Sequence, residues 1–139
     1  MMDEKEGKTI LGMAEFVTIK GKDKRKQEIL PARIDTGATR SAIHTEIVKS
    51  LGLGPVLKAR KVKNANGTSI RPVIEVEIIL KHKRITEEFT VADRAQMKYP
   101  ILIGRNILKH DFLIDVTKDP TKDPDHKYQQ KMIQWLKQQ

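Results

Sequence analysis

The sequence predicts an all-β fold, and three observations predict it. Its 139 residues are 38% hydrophobic but only 4% aromatic, so Ile, Leu and Val, which favour strands, must build the core. Apolar and polar residues alternate in several segments, most plainly where Ile74, Val76, Ile78 and Leu80 share one face and Glu75, Glu77 and Lys81 the other. Between two such segments stands Asn66-Gly67, whose residues tolerate the positive φ of a tight hairpin turn. The length suits one compact domain.

In chain order, residues 10–20 and 27–34 read as two strands joined across the charged turn Lys20-Gly21-Lys22-Asp23-Lys24. A short apolar piece, residues 41–44, leads into a short helix over residues 45–52, with Thr45 placed to cap it and Gly52 to end it. Residues 56–64 and 69–81 are strand-like, with Asn64-Ala65-Asn66-Gly67-Thr68 turning between them, and Pro72 implies an unpaired edge near the start of the second. Residues 84–91 form a further strand and residues 92–99 a loop. Pro100-Ile101-Leu102-Ile103-Gly104 is a short buried strand, residues 105–110 a turn or short helix, and residues 112–116 a last strand.

Charge and two prolines in residues 118–124 place the end of the domain near Thr117. The expected division is a flexible N-terminus at residues 1–8, a domain at 9–117, and a linker with a helical extension at 118–139. In that extension Tyr128, Met132 and Leu136 recur at i, i+4 beside Ile133 and Trp135, and Trp135 is expected to anchor the helix.

The net charge of +9 is spread over residues 22–26, 58–63, 81–84 and the tail, which reads first as solvated edges and loops. A nucleic-acid surface is disfavoured by the scarcity of aromatic side chains that could stack on bases. With no cysteine, disulfides and thiolate metal sites are excluded. Residues 1–8 lack the apolar run of a signal peptide, and no stretch approaches the roughly 20 apolar residues of a membrane span, so a cytoplasmic protein is the expectation.

The chemistry lies in Leu30-Pro31-Ala32-Arg33-Ile34, an apolar strand that runs into Asp35-Thr36-Gly37-Ala38 and so delivers a carboxylate to a tight turn. Thr36 offers a hydroxyl that can bond across to a matching turn, and Gly37 permits close approach and turns its N–H toward the carboxylate. Two such turns face to face would hold two aspartates that cannot both ionise, one serving as acid and the other as the base that activates water. Alone, Asp-Thr-Gly is as common as any loop turn. Its weight comes from the second segment, roughly 65 residues on, where Ile101-Leu102-Ile103-Gly104-Arg105-Asn106-Ile107-Leu108 follows Pro100.

In this order the motifs resemble the retroviral aspartic proteases, the retropepsins. They are still more similar to a bacterial retropepsin-like (RimB-like) family long labelled ATP-dependent zinc proteases, one member of which is associated with the ribosomal-protein glutamate ligase RimK. The likeness rests on Ile10-Leu11-Gly12, Ala32-Arg33-Ile34-Asp35-Thr36-Gly37-Ala38, Asn66-Gly67, Arg71-Pro72-Val73-Ile74, and the stretch from Met97 to Gly104-Arg105, and it covers roughly residues 9–117. The resemblance implies a closed acid-protease barrel and an aspartic endopeptidase acting as a homodimer on a peptide or protein substrate. It further implies Asp35 as catalytic residue, Thr36, Gly37 and Ala38 as its supporting turn, and the hairpin Asn64-Ala65-Asn66-Gly67-Thr68 as a flap. Gly104, within Ile103-Gly104-Arg105-Asn106, would let the late strand pack beside the turn.

The chain also departs from the retroviral pattern. Thr39 stands where those enzymes carry the aspartate that pairs with the late arginine, which leaves Asp111 and Asp115 as candidate partners for Arg105. No residues support the zinc and ATP labels, since the chain has no H-E-x-x-H and no glycine-rich phosphate loop, and His44, His82, His110 and His126 lie far apart. No metal or cofactor is therefore expected. Other pairings are weak: Glu87 and Glu88 point to opposite faces of a strand, and so do Ser41 and His44. Besides the peptidase, two other classes fit the residues, a retropepsin-fold binding or dimerisation module without catalysis and a basic RNA- or ribosome-associated factor.

Overall fold

The computed structural model describes residues 3–65 and 67–138. Ten strands are described: β1 (Glu4–Lys5), β2 (Lys8–Leu11), β3 (Ala14–Lys20), β4 (Gln27–Ile34), β5 (Ser41–His44), β6 (Val56–Asn64), β7 (Gly67–Leu80), β8 (Lys83–Ala92), β9 (Ile101–Ile103) and β10 (Phe112–Ile114). Three helices join them, α1 (Thr45–Leu51), α2 (Arg105–Leu108) and α3 (Gln129–Lys137). Six strands close a barrel in the order β3-β4-β9-β5-β8-β7, and the β3–β7 pairing, Val17 against Leu80, seals it. Strand β6 hangs from the outer part of β7, so the β6–β7 hairpin projects from the barrel wall.

Alternation works as expected along β7, where Ile74, Val76, Ile78 and Leu80 are at most 1% exposed while Glu75 and Glu77 face outward. The core is mainly Ile, Leu and Val, with Phe89 and Phe112 as its aromatic members. Pro72 pairs with Ala59 of β6, and pairing with β8 begins only at Val73, so the proline sits where β7 has a neighbour on one side.

Three local expectations are corrected. Residues 10–20 do not form one strand, because the chain breaks at Gly12 and Met13. The reason is tertiary: the Gly12 N–H donates to Glu15 Oε2 at 2.7 Å, and a Cβ at Gly12 would meet the Lys118 carbonyl oxygen at 2.5 Å. Thr45 is the first helical residue and not the cap, a position held by His44, whereas Gly52 does end α1 in the left-handed conformation at φ 63°. Residues expected in a loose N-terminus are paired, Glu4 with Thr9 and Lys5 with Lys8, and β2 runs parallel to β10.

Residues 118–138 pack on the barrel. The Met13 N–H donates to the Lys118 carbonyl, and Met132 joins Ala14, Phe16 and Tyr99 in a second apolar cluster. The buried side of α3 is Met132 and Trp135, while Leu136, expected in that stripe, is 45% exposed. Trp135 anchors the helix through its indole N–H, which donates to the Met97 carbonyl at 3.3 Å.

Glu15 gives the fold a pH dependence. The residue is 5% exposed, and burial raises its pKa above the ordinary 4.5, more than the Gly12 N–H and Lys81 lower it. The folded chain thus keeps this proton to higher pH than the unfolded chain does. The associated stability is fully present below the ordinary value and is lost as pH rises through the raised folded value. Thermal melts between about pH 4 and 8 should show Tm falling across that interval, and Glu15→Gln should flatten this part of the slope.

Candidate active site

Strand β4 ends at Ile34, whose side chain is buried, and the next residue is the half-buried Asp35. The Asp35 N–H donates to the Ile103 carbonyl of β9 at 2.9 Å, so the parallel β4–β9 pairing fixes where the carboxylate leaves the barrel. The carboxylate then closes the turn on itself, with Oδ1 accepting the Gly37 N–H at 2.9 Å and the Asp35 carbonyl accepting the Ala38 N–H at 3.2 Å. Thr36 and Gly37 are exposed at the tip.

The Gly104-Arg105-Asn106 segment buttresses this turn from behind. The Arg105 N–H donates to the Ala38 carbonyl at 2.8 Å and the Asn106 N–H to the Thr39 carbonyl at 3.2 Å. The Arg105 side chain reaches the turn itself, Nη1 donating to the Thr36 carbonyl at 2.9 Å and Nη2 to Thr39 Oγ1 at 3.0 Å. Neither Asp111 nor Asp115 is its partner: Asp111 lies 3.6 Å from Lys8, and Asp115 accepts from Thr117. Thr39 thus stands in for the missing aspartate through a neutral acceptor together with a backbone carbonyl. Arg105→Lys, which cannot reproduce this two-point geometry, should cost about 1 kcal/mol, measurable as a small fall in Tm with faster amide exchange at residues 36–40.

Asn106 of the late motif gains a further support from Ser41, a partner that sequence reasoning missed. The Gly104 N–H donates to Ser41 Oγ at 3.0 Å, Ser41 Oγ donates to Asn106 Oδ1 at 2.8 Å, and Asn106 Nδ2 donates to the Glu88 carbonyl at 2.8 Å. All the groups in this chain are satisfied in a buried setting, which holds β5, α2 and the Asp35 turn in one register. The signal available in the sequence was a serine opening a short strand ahead of two apolar residues.

Of the residues expected to form a flap, Asn64 pairs with Gly67, which has φ 118°, and Thr68 pairs with Lys63, while Ala65 is exposed. Asn66 lies outside the described residues.

Under this hairpin lies a cavity of about 610 Å³, bounded by Ala38 and Thr39 just past the aspartate. Arg40, Arg60, Lys61, Lys63, Arg71 and Arg94 line it, and among the described residues no acidic or aromatic side chain does. Charges that read as scattered and solvated in the sequence are gathered here by the β6–β7 pairing. Arg94 is 7% exposed, and its Nε donates to the Tyr99 carbonyl at 3.1 Å. Burial pushes its guanidinium below the ordinary arginine range, Arg71 and Arg33 push the same way, and the Asp35 carboxylate opposes them.

The four histidines go to separate places: His44 is buried beside Trp135, His110 lies 2.8 Å from Glu87, His126 stacks on Phe16, and His82 is 4.0 Å from Glu4. Among the described residues no three His, Cys, Asp or Glu side chains form a group that could hold a metal ion, so the residues present do not fit a zinc centre. Among them, too, no helix is long and apolar enough to cross a membrane.

A closed six-strand barrel with an Asp-Thr-Gly turn braced by a Gly-Arg-Asn segment defines a retropepsin-like protein. Solved structures share this fold: EIAV protease complexed with the inhibitor HBY-793 is 23% identical, with TM-score 0.55 over 78% of this chain and 92% of that one. Simian foamy virus protease is 17% identical, with TM-score 0.51 over 69% of this chain and 91% of that one. A protein of unknown function (DUF785) from Legionella pneumophila is 22% identical, with TM-score 0.56 over 78% and 94%. No curated protein matches the sequence. The chain belongs to the RimB-like family, described as retropepsin-like aspartic endopeptidase RimB, whose profile matches residues 49–125.

Proposed function

We propose that this chain is half of an aspartic endopeptidase, completed by a second copy, and that it cleaves acidic peptides. The observation that carries the reading is the Asp35 turn, held at the barrel rim by the Ile103 carbonyl and the Gly37 N–H and leaving Thr36 exposed to meet its counterpart. In a two-fold dimer the two Asp35 carboxylates share one proton. The ionised member takes a proton from a water molecule as it attacks the peptide carbonyl carbon, and the protonated member donates to the carbonyl oxygen. The resulting tetrahedral species collapses when the leaving nitrogen is protonated, and the C–N bond breaks. Residues 64–68 form the flap that covers the bound peptide.

The choice of acidic peptides follows from the cleft, where, among the described residues, six lining side chains are cationic and none is anionic. A carboxylate-bearing peptide would satisfy the guanidinium groups of Arg94 and Arg71, which otherwise repel one another. Among the described residues the cleft contains no aromatic side chain on which a base could stack, which favours a peptide over nucleic acid.

A peptide library graded from acidic to basic tests this. Acidic members should be cut preferentially, kcat/KM should fall as salt rises, and Arg71→Ser should raise KM by about tenfold with little change in kcat. Activity per chain should also fall on dilution as the dimer separates. Equal cleavage of neutral and basic peptides would sink the acidic specificity, and activity independent of chain concentration would sink the shared site.

A further inference from the structure

A second cavity, of about 540 Å³, lies where the C-terminal helix docks, and it shares no lining residue with the Asp35 turn or the cationic cleft. Its volume falls within the range of small-molecule sites, about 300–1,000 Å³. Leu30 of β4, Ile47 of α1 and Trp135 of α3 give it an apolar lining, and His44 joins them with its ring 5.4 Å from the indole.

His44 is 7% exposed, and its Nδ1 accepts the Arg94 backbone N–H at 2.9 Å, which leaves the proton of the neutral ring on Nε2. Among the described residues nothing accepts from that Nε2–H. On the cavity wall this donor is open to any acceptor that enters.

The walls also carry opposite charges. Glu28 of β4 and Glu46 of α1 come from the barrel side, and Lys131 comes from α3. All three line one cavity, yet among the described residues no ion pair joins Lys131 to either glutamate. Glu28 has no ion-pair partner among those residues, and Glu46 has only the exposed Lys49 at 3.4 Å. Unlike charges that share a cavity without meeting suit a ligand that itself carries both signs.

We propose that this cavity binds a free α-amino acid with an apolar side chain. Its ammonium group lies with Glu28 and Glu46, its carboxylate with Lys131 and the His44 Nε2–H, and its side chain against Leu30, Ile47 and the Trp135 indole. The inference stands apart from the peptidase reading, because none of these residues belongs to the Asp35 turn or its cleft.

Trp135 is the chain's single tryptophan and lines this cavity, so its fluorescence responds to what enters. Titrating the full chain with leucine, isoleucine, valine, methionine or phenylalanine should give a saturable change for at least one of them. N-acetyl-leucine, lacking the ammonium, and leucinamide, lacking the carboxylate, should give none. Glu28→Gln and Lys131→Gln should each weaken binding by about tenfold or more while far-UV circular dichroism stays that of the wild type. No saturable change with any of the five amino acids would overturn the proposal. So would an equal response to N-acetyl-leucine, or an affinity unmoved in both variants.

Discussion

Asp35→Asn is expected to leave the barrel folded and to reduce peptide cleavage by about a thousandfold or more. The fold should survive because asparagine has the same shape, and its carbonyl oxygen can still accept the Gly37 N–H that the carboxylate now takes at 2.9 Å. The backbone bond from Asp35 to the Ile103 carbonyl does not depend on the side chain at all. Catalysis should vanish because two asparagines can neither share a proton nor accept one from water. Matched thermal melts, sedimentation and cleavage assays on both proteins provide the check. Cleavage by the variant at the wild-type rate would rule out an aspartate dyad. If neither protein cleaves but both bind acidic peptides equally, the chain is a binding module that uses the same cleft.

Gly104→Ala is expected to have the largest effect on stability, about 3 kcal/mol or a fall in Tm of about 10 °C. The backbone at Gly104 is extended, with φ −101° and ψ −173°, so any residue could adopt it and the cost is purely steric. A Cβ there would collide with the carbonyl group of Arg40 and would lie 2.9 Å from the Ala38 carbonyl oxygen. Both obstacles are backbone atoms of the segment that leads out of the Asp35 turn, and they cannot swing aside as a side chain would. Relief requires separating β9 from that segment, which also strains the Gly104 N–H bond to Ser41 and the Arg105 N–H bond to Ala38. Activity should therefore fall along with stability. Gly37→Ala is a useful contrast, because its Cβ would meet only Asp35 Oδ1, at 3.2 Å. That variant should melt close to the wild type, and a Tm for Gly104→Ala equally near the wild type would refute the packing argument.

Much of the fold was legible in the sequence because strand alternation and turn chemistry are local. Residues 27–34 and 56–64 were delimited as strands β4 and β6, and Gly52 marked the end of α1 through a conformation that glycine adopts without penalty. The break at Gly12 was hidden because its causes, Glu15 and Lys118, act through space. The exposure of Leu136 was hidden for a similar reason: the docking angle of α3 on Phe16 and Tyr99, and not i, i+4 spacing, selects which residues are buried.

At the site itself, the sequence alone determined that an apolar strand carries Asp35 into a Thr-Gly turn and that a Gly-Arg-Asn segment follows much later. Tertiary structure decided that Arg105 grips the Thr36 carbonyl and the Thr39 hydroxyl instead of an aspartate. It also decided that cations distant in the chain, from Arg40 to Arg94, converge on one cleft. The physical reason is common to both outcomes. A motif fixes the conformation of its own few residues, whereas the partner of a charge depends on strand register and barrel closure, which bring together groups that no local pattern relates.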